Sequence, residues 1–122
     1  MVRLGHAFVS LVSLLPFAMA QTLQVTLYDD MYYEGDSVQI PANYGCYSLS
    51  QFQPDLTDKV SSIQIPDGVR CYLTHWECES IMVDQDTKIV DAPGLSSLYN
   101  INFNDQLEKI ACYNTNDPQD GF

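Results

Sequence analysis

The chain has 122 residues, with 16 acidic and five basic side chains and a formal net charge of −11 at pH 7. Nucleic acids and anionic membranes are polyanions that favour clustered Lys and Arg, so we expect a chain this acidic to bind neither. The charge favours cations instead. It either serves solubility alone or supports a specific site for calcium, which takes oxygen ligands from carboxylates, amides and backbone carbonyls.

The first residues have the layout of a secretory signal peptide over residues 1–20. A basic start precedes an almost wholly apolar stretch at residues 7–17, and Ala18 and Ala20 place small side chains before the cleavage site. The alternative is a membrane anchor, but a helical span needs about 20 apolar residues and this stretch is shorter. We therefore expect a secreted, extracellular protein whose mature chain, residues 21–122, carries a formal charge of −12 (4 − 16).

The mature chain shows a hydrophobic period of two. Leu23, Val25 and Leu27 alternate with polar residues, which predicts a β-strand. Further strand-like stretches are Val38 with Ile40, Val60 with Ile63 and Ile65, and Ile81 with Val83. Turn-forming residues separate them at 34–36, 41–45, 66–68 and 92–94. Apart from a short helical turn around residues 95–99, the pattern predicts an all-β fold, an antiparallel Greek-key sandwich.

Two segments of the chain repeat one another. In the first pair of segments, three residues are separated by five and then two positions. They are Tyr28, Tyr33 and Gly35 in the first segment and Cys71, Trp76 and Cys78 in the second, each 43 residues later. A second pair, residues 57–63 and 104–110, is offset by 47. The spacing predicts a duplicated supersecondary structure in which neither half could bury its apolar face alone.

Four cysteines lie in the mature chain, at Cys46, Cys71, Cys78 and Cys112. An even count in a small secreted protein favours two disulfides, with three connectivities open. Structural zinc is the competing interpretation, but the close Cys-x-x-Cys pairs typical of such sites are missing.

The stretch from Leu27 through Tyr28, Tyr33 and Gly35 to Ile40 resembles the Greek-key signature of the βγ-crystallin superfamily. Residues 58–65 resemble the fourth strand of that family, and residues 66–70 the entry to its second motif. The resemblance covers residues 22–113. It implies a sandwich of two sheets and about eight strands over residues 21–113, and we expect a flexible tail over residues 114–122.

The second unit departs from the family pattern, with Cys71 in place of the first aromatic residue and Cys78 in place of the glycine. This substitution fits a local disulfide, Cys71–Cys78. In the resembling sandwich, the third strand of each motif crosses to the partner sheet and lies near the last strand of the partner. That placement implies the second bridge, Cys46–Cys112.

Microbial members of this family often bind calcium through two six-residue segments: two Asn or Asp positions, two variable ones, then Ser or Thr and Ser. Here the segments are residues 57–62, which lack the first acid or amide, and 104–109, which lack both hydroxyls. The resemblance implies one weak site combining Ser61 with Asn104 and Asp105. A second site, with Asp58 and Glu108, has Lys59 and Lys109 nearby as competing cations. The alternative is that the acids only cap turns.

Catalysis finds little support in the sequence. His75 is the single histidine of the mature chain, and a nucleophile would need a base and an orienting group in one cleft. Glu77 and Glu79 lie on the same face of a predicted strand, where a solvated surface is the commoner arrangement. An enzyme would be indicated if a cleft gathered His75 with two or more polar side chains.

We therefore expect a monomeric binding or structural module with no cofactor apart from calcium and no enzyme activity. The alternative is a small secreted toxin, antimicrobial protein or host-interacting effector, since the resemblance extends to such proteins. Eight tyrosines would suit recognition of an extracellular protein or glycan if exposed, or would cap the ends of the core if buried. The tyrosines near hairpins and the third strand are Tyr32, Tyr33, Tyr44, Tyr47 and Tyr72.

Overall fold

The computed structural model describes residues 22–81 and 85–116. The predicted leader at residues 1–20, Val83 of one predicted strand and the end of the predicted tail, residues 117–122, lie outside the described residues.

Eight strands form two antiparallel sheets across the described ranges. The strands are β1 (Gln24–Asp30), β2 (Glu34–Pro41), β3 (Asn43–Ser48), β4 (Ser62–Gln64), β5 (Val69–Thr74), β6 (Lys88–Asp91), β7 (Gly94–Leu95) and β8 (Lys109–Asn114). Short 3-10 turns cover Met31–Tyr33, Leu49–Gln51, Cys78–Ser80 and Leu98–Ile101. The predicted all-β sandwich of about eight strands is confirmed.

Each sheet takes one strand from the other half of the chain. The first sheet has the order β2-β1-β4-β7 and the second has the order β3-β8-β5-β6. The third strand of each half, β3 or β7, therefore crosses over and pairs with the last strand of the other half, as the resemblance implied. Two interlocked Greek keys result, and they share one interior.

The core lies between the inner faces of the sheets. Val25 and Leu27 on β1 are fully buried, as are Leu73 on β5 and Ile110 on β8, because strand alternation turns every second side chain inward. Phe103 is the largest of the fully buried side chains. Burial of these side chains from both halves supplies the main stabilisation of the fold.

Strand pairing relates the two halves by an offset that differs from the predicted one in their first strands. Leu27 pairs with Ile63, and Leu73 pairs with Ile110, so the first strands correspond at 46 residues (73 − 27) and the last at 47 (110 − 63). The predicted offset of 43 equates Tyr28, on the outer face, with Cys71, which is fully buried. The cysteines of the second half therefore do not replace the aromatic and glycine residues of the first.

Both predicted disulfides are wrong. The structure pairs Cys46 with Cys78 and Cys71 with Cys112, with Cα–Cα distances of 5.9 and 4.1 Å. Strands β3 and β8 are neighbours, but Cys46 is opposite Ala111, one position before Cys112. Successive side chains point to opposite faces, so Cys46 lies on the outer face and Cys112 in the core.

The buried bridge is a direct cross-strand pair. Cys71 is opposite Cys112 in the β5–β8 register, and both are fully buried. Cys78 follows β5 in a 3-10 turn and is half-buried, which leaves it on the outer side with Cys46. A Cys71–Cys78 bridge would have to join opposite faces of the second sheet.

The boundaries of a turn, a strand and the C-terminal tail also differ from those predicted. The turn expected at residues 41–45 belongs mostly to β3, which begins at Asn43 and absorbs an irregular register where Tyr44 has a φ of +70°. Ile81 follows a 3-10 turn rather than lying in a strand. Thr115 donates from its backbone N–H and its hydroxyl to the carbonyl of Gly68, at 2.6 and 2.9 Å, so the start of the predicted tail is bound to the domain.

Candidate functional site

The two segments with candidate calcium ligands hold each other through the backbone. The N–H of Asp58 donates to the carbonyl of Leu107 at 3.0 Å, and the N–H of Asp105 donates to the carbonyl of Val60 at 3.1 Å. Both aspartates have a φ of +59°, a left-handed conformation that Asp and Asn tolerate better than most residues. The loops that precede β4 and β8 are thereby fixed side by side.

Ser61 and Asp105 meet across the two halves of the chain. The Ser61 hydroxyl lies 3.4 Å from Oδ1 of Asp105, and Ser61 is only 7% exposed. The adjacent Asn104 has a buried side-chain oxygen with no hydrogen-bond partner. Because buried polar atoms are nearly always paired, an unpaired carbonyl oxygen on the residue that precedes Asp105 fits a segment that accepts a cation.

Asp58 is not brought into this contact. Its side chain is exposed, and the segment before it is closed locally, since the backbone N–H and hydroxyl of Thr57 both donate to Oδ1 of Asp55, at 2.9 and 2.5 Å. The hydrogen bonds from Thr57 lower the pKa of Asp55, and the one from the Thr57 hydroxyl has the larger effect. Thr57 stands where the family has an acid or amide, so the first segment forms a turn at that position.

Protein carboxylates alone would hold an ion weakly here. Within residues 22–81 and 85–116, no group of three or more His, Cys, Asp or Glu side chains is placed to hold a metal. Ser61, Asn104 and Asp105 have four side-chain oxygens between them, counting both of the carboxylate, and calcium takes six to eight ligands. Backbone carbonyls and water would have to complete the shell, which is typical of low affinity.

His75 lies in a separate cleft of about 240 Å³. The polar side chains that line it with His75 are Asp86, Lys88, Asn102 and Gln106. The cleft therefore brings His75 together with more than two polar side chains, the arrangement that would indicate an enzyme. Its lining contains no Ser, Thr or Cys to act as a hydroxyl or thiol nucleophile, and the imidazole stacks on Phe103 with the ring centroids 6.1 Å apart.

Of the five tyrosines singled out from the sequence, Tyr47 is the one that packs against the core. Tyr32 is 66% exposed and Tyr33 is 36% exposed, while the other three are half-buried. Tyr44 and Tyr72 both stack on Tyr113, with centroids 5.1 and 6.3 Å apart. These tyrosine side chains therefore lie mainly on outer faces of the sandwich, where a partner could contact them.

Tyr33 packs against neighbouring residues of the first hairpin and of β4. Its ring packs edge-on against Tyr28 with centroids 5.8 Å apart, and its N–H donates to the buried hydroxyl of Ser62 at 3.0 Å. Ser62 in turn donates to the carbonyl of Asp30 at 2.6 Å. Ser62 therefore anchors the first hairpin to β4.

Solved structures settle which fold this is. The N-terminal domain of Protein S matches with a TM-score of 0.59 and 19% identity, over 75% of this chain and 96% of that one. A βγ-crystallin domain from Flavobacterium johnsoniae matches with a TM-score of 0.61 and 23% identity, over 76% and 97%. Hahellin, a βγ-crystallin, matches with a TM-score of 0.60 and 20% identity, over 81% and 100%.

The fold is βγ-crystallin-like. No protein-family model matches the chain, and no curated protein matches it significantly. The structural matches establish the βγ-crystallin-like architecture, and at these low identities they show the fold alone. Two disulfides fit an extracellular protein. Within the described ranges, no helix is long and apolar enough to cross a membrane.

Proposed function

We propose that the chain is a secreted, disulfide-stapled βγ-crystallin-like binding and structural module with one weak calcium site. The observation that carries the calcium proposal is the contact between Ser61 and Asp105, at 3.4 Å, together with the buried, unpaired side-chain oxygen of the preceding residue, Asn104. These three residues come from both halves of the sandwich. A bound ion would therefore join the halves and stabilise the folded state.

The physical effect of calcium follows from linkage. An ion that binds only the folded state at a tenfold excess over its Kd stabilises by about 1.4 kcal/mol. For a domain of this size that corresponds to a rise in Tm of roughly 6–11 °C. Extracellular calcium modules have Kd values of about 10⁻⁴–10⁻³ M, so about 10 mM calcium suffices.

The test is calorimetry of the mature chain, residues 21–122, in calcium and in EDTA. Asp105→Asn removes one carboxylate charge while keeping a side chain that tolerates the left-handed backbone, and Ser61→Ala removes the hydroxyl. Both variants are expected to lose most of the rise in Tm. The matched control is Asp36→Asn, which removes an exposed charge on the first hairpin and should keep the whole effect. A wild-type Tm that does not change with calcium would contradict the site.

Secretion is supported by the leader pattern and by the paired cysteines. All four cysteines are joined in the structure, which suits an oxidising compartment. Expression of the full chain in a secreting host should release a protein that begins at Gln21, as read by mass spectrometry of the intact product. Retention of the full chain inside the cell would contradict secretion.

A second candidate function, a host-interacting effector or antimicrobial protein, is favoured by one exposed apolar cluster. The exposed fractions are 38% for Met31, 66% for Tyr32 and 64% for Tyr99. Ser97 links the ends of the cluster, since it donates to the sulfur of Met31 and accepts from the N–H of Tyr99, at 3.4 and 3.2 Å. Exposed tyrosine is typical of protein recognition surfaces.

The effector candidate predicts that purified oxidised protein inhibits microbial growth or provokes a host-cell response. Tyr32→Ala should weaken that response while the Tm stays unchanged, because the side chain is exposed. Reduction of both disulfides should abolish it. Inertness of the oxidised protein across bacterial, fungal and host-cell panels would exclude this candidate.

A further inference from the structure

We propose that the outer face of the first sheet binds a neutral carbohydrate in a groove beside Tyr33. The groove has a volume of about 480 Å³, within the usual range of about 300–1,000 Å³ for small-ligand sites. Its lining includes Gln24, Thr26, Tyr33, Gln64, Pro66 and Asp67. This proposal goes beyond calcium binding and uses none of the calcium residues.

The groove is built on the two central strands of its sheet. Gln24 and Thr26 lie on β1 and Gln64 lies on β4, and Thr26 is directly opposite Gln64. Strands β1 and β4 each have a neighbour on both sides, so their backbone groups are used within the sheet. A ligand here meets side chains and has no free strand edge to join, which disfavours an extended peptide.

The side chains offered are those that recognise sugars. Two primary amides and a hydroxyl can donate to and accept from sugar hydroxyl groups, and the carboxylate of Asp67 can accept from them. Tyr33 adds an aromatic ring to the lining, and such rings pack against the apolar C–H face of a pyranose. Tyr28 donates to Oε1 of Gln64 at 3.0 Å, so the Gln64 amide is oriented before a ligand arrives. Preorganised polar groups of this kind reduce the entropy cost of binding.

Charge selects among carbohydrates. The groove lining contains Asp67 and no Lys, Arg or His, and the whole chain carries a net charge of −11. Sulfated or uronic-acid glycans would be repelled by this surface. The occupant is therefore a neutral hexose chain, such as a polymer of glucose or N-acetylglucosamine.

Backbone strain also marks this wall of the groove. Tyr32 and Tyr33 both have a φ of +62°, a left-handed conformation that is costly for bulky side chains. The Ser62 hydroxyl holds the strained turn by accepting from the Tyr33 N–H. Strain that the surroundings enforce is concentrated at functional sites, and here it sets Tyr33 against the sheet face.

The test is calorimetric titration of the mature chain in EDTA with three soluble hexamers: N-acetylchitohexaose, laminarihexaose and a sulfated heparin hexamer. Saturable binding of a neutral hexamer below about 10 mM, without binding of the sulfated one, is expected. Tyr33→Gly should weaken binding at least about tenfold through loss of the aromatic contact. The matched control is Tyr32→Gly, which makes the same backbone change at the same φ outside the groove and should bind like the wild type.

Gln24→Ala keeps the test decisive even if Tyr33→Gly fails to fold, because Gln24 is exposed on the sheet face. It should weaken binding roughly threefold to tenfold, the loss expected of one hydrogen bond. The proposal is overturned if neither neutral hexamer binds, if the sulfated hexamer binds as well, or if Gln24→Ala binds like the wild type. Because EDTA is present throughout, failure of the calcium site cannot cause any of these results.

Discussion

Asp58 and Asp105 occupy equivalent positions in the two halves, 47 residues apart (105 − 58), and each donates its backbone N–H to a carbonyl of the other half. Both have a φ of +59°. The loops before β4 and β8 are therefore related by an internal two-fold arrangement. Only one of the two aspartates, Asp105, also has a side-chain contact with a serine of the opposite half.

The shared left-handed conformation predicts an unusual order of substitutions. Asp58→Ala should destabilise more than Asp58→Gly, because a left-handed residue with a Cβ costs roughly 1–2 kcal/mol that glycine avoids. Chemical denaturation in EDTA measures both free energies of unfolding. Equal stability of the two variants, or a more stable Ala variant, would contradict the assigned backbone.

The two disulfides should contribute similar chain-entropy terms and unequal packing terms. Their sequence separations are 32 and 41 residues, for which the entropy model gives about 4 kcal/mol each. Cys71→Ala with Cys112→Ala should cost more than Cys46→Ala with Cys78→Ala, because only the first pair is fully buried. Urea denaturation compares the double variants, and a less stable outer-pair variant would contradict this order.

Peptide mapping checks the pairing itself. Non-reducing digestion followed by mass spectrometry should yield one fragment that joins Cys46 to Cys78 and another that joins Cys71 to Cys112. Fragments that join Cys46 to Cys112 would restore the pairing predicted from the sequence.

Acid should weaken the link between β5 and β6. Arg70 donates through Nε and Nη2 to the two oxygens of Asp91, at 2.7 and 3.1 Å, and this hydrogen bonding to Arg70 lowers the pKa of Asp91. A carboxylate whose folded pKa lies below its unfolded value of about 3.9 stabilises the fold above that pH. The contribution is lost as the pH falls through the folded pKa.

The variant Asp91→Asn should therefore reduce the loss of stability between pH 5 and pH 2. Urea midpoints across that range, for the wild type and the variant, measure the difference. Arg70→Met should reduce the slope in the same way, since it removes the cause of the pKa shift. A slope that is unchanged in both variants would show that the pair contributes nothing to acid sensitivity.

Gly94 should tolerate no side chain. It has a φ of +102°, and a Cβ there would lie 2.1 Å from the carbonyl oxygen of Ile63 in the paired strand β4. Gly94→Ala is expected to lower the free energy of unfolding by more than about 3 kcal/mol. The backbone at Ile63 would have to move away from the new Cβ, and the alanine would in addition be strained at this positive φ. Gly68→Ala is the matched control. Its φ is +82° and its nearest contact is a side-chain atom of Asn116 at 3.2 Å, so a loss of roughly 1–2 kcal/mol is expected.

Alternation along the chain was enough to predict the sandwich but not which cysteines meet. The period of two at Val25 and Leu27 marks a core-facing strand whatever its neighbours are. The disulfides depend on register across β3, β8 and β5, where a shift of one residue moves a side chain to the opposite face. Spacing in the sequence carries no information about that register.

Other features escaped prediction because they arise only in the folded chain. Strand β7 has two residues, Gly94 and Leu95, which is too short to show any periodicity. The groove beside Tyr33 combines Gln24 with Gln64, 40 residues away (64 − 24), and each looks like an ordinary surface residue by itself. The family resemblance placed Ser61 and Asp105 in one site. The burial of the Asn104 side-chain oxygen without a partner depends on the folded loop, and the sequence does not show it.

The outer disulfide ties the first half of the chain, at Cys46, to the second half, at Cys78. Along the backbone, the turn at residues 66–68, between β4 and β5, connects the two halves. A protease that cuts this turn would thus release no fragment: the product would remain a covalent two-chain molecule, with each chain still contributing a strand to the sheet of the other. The two chains would separate only after a reductant breaks the Cys46–Cys78 bridge.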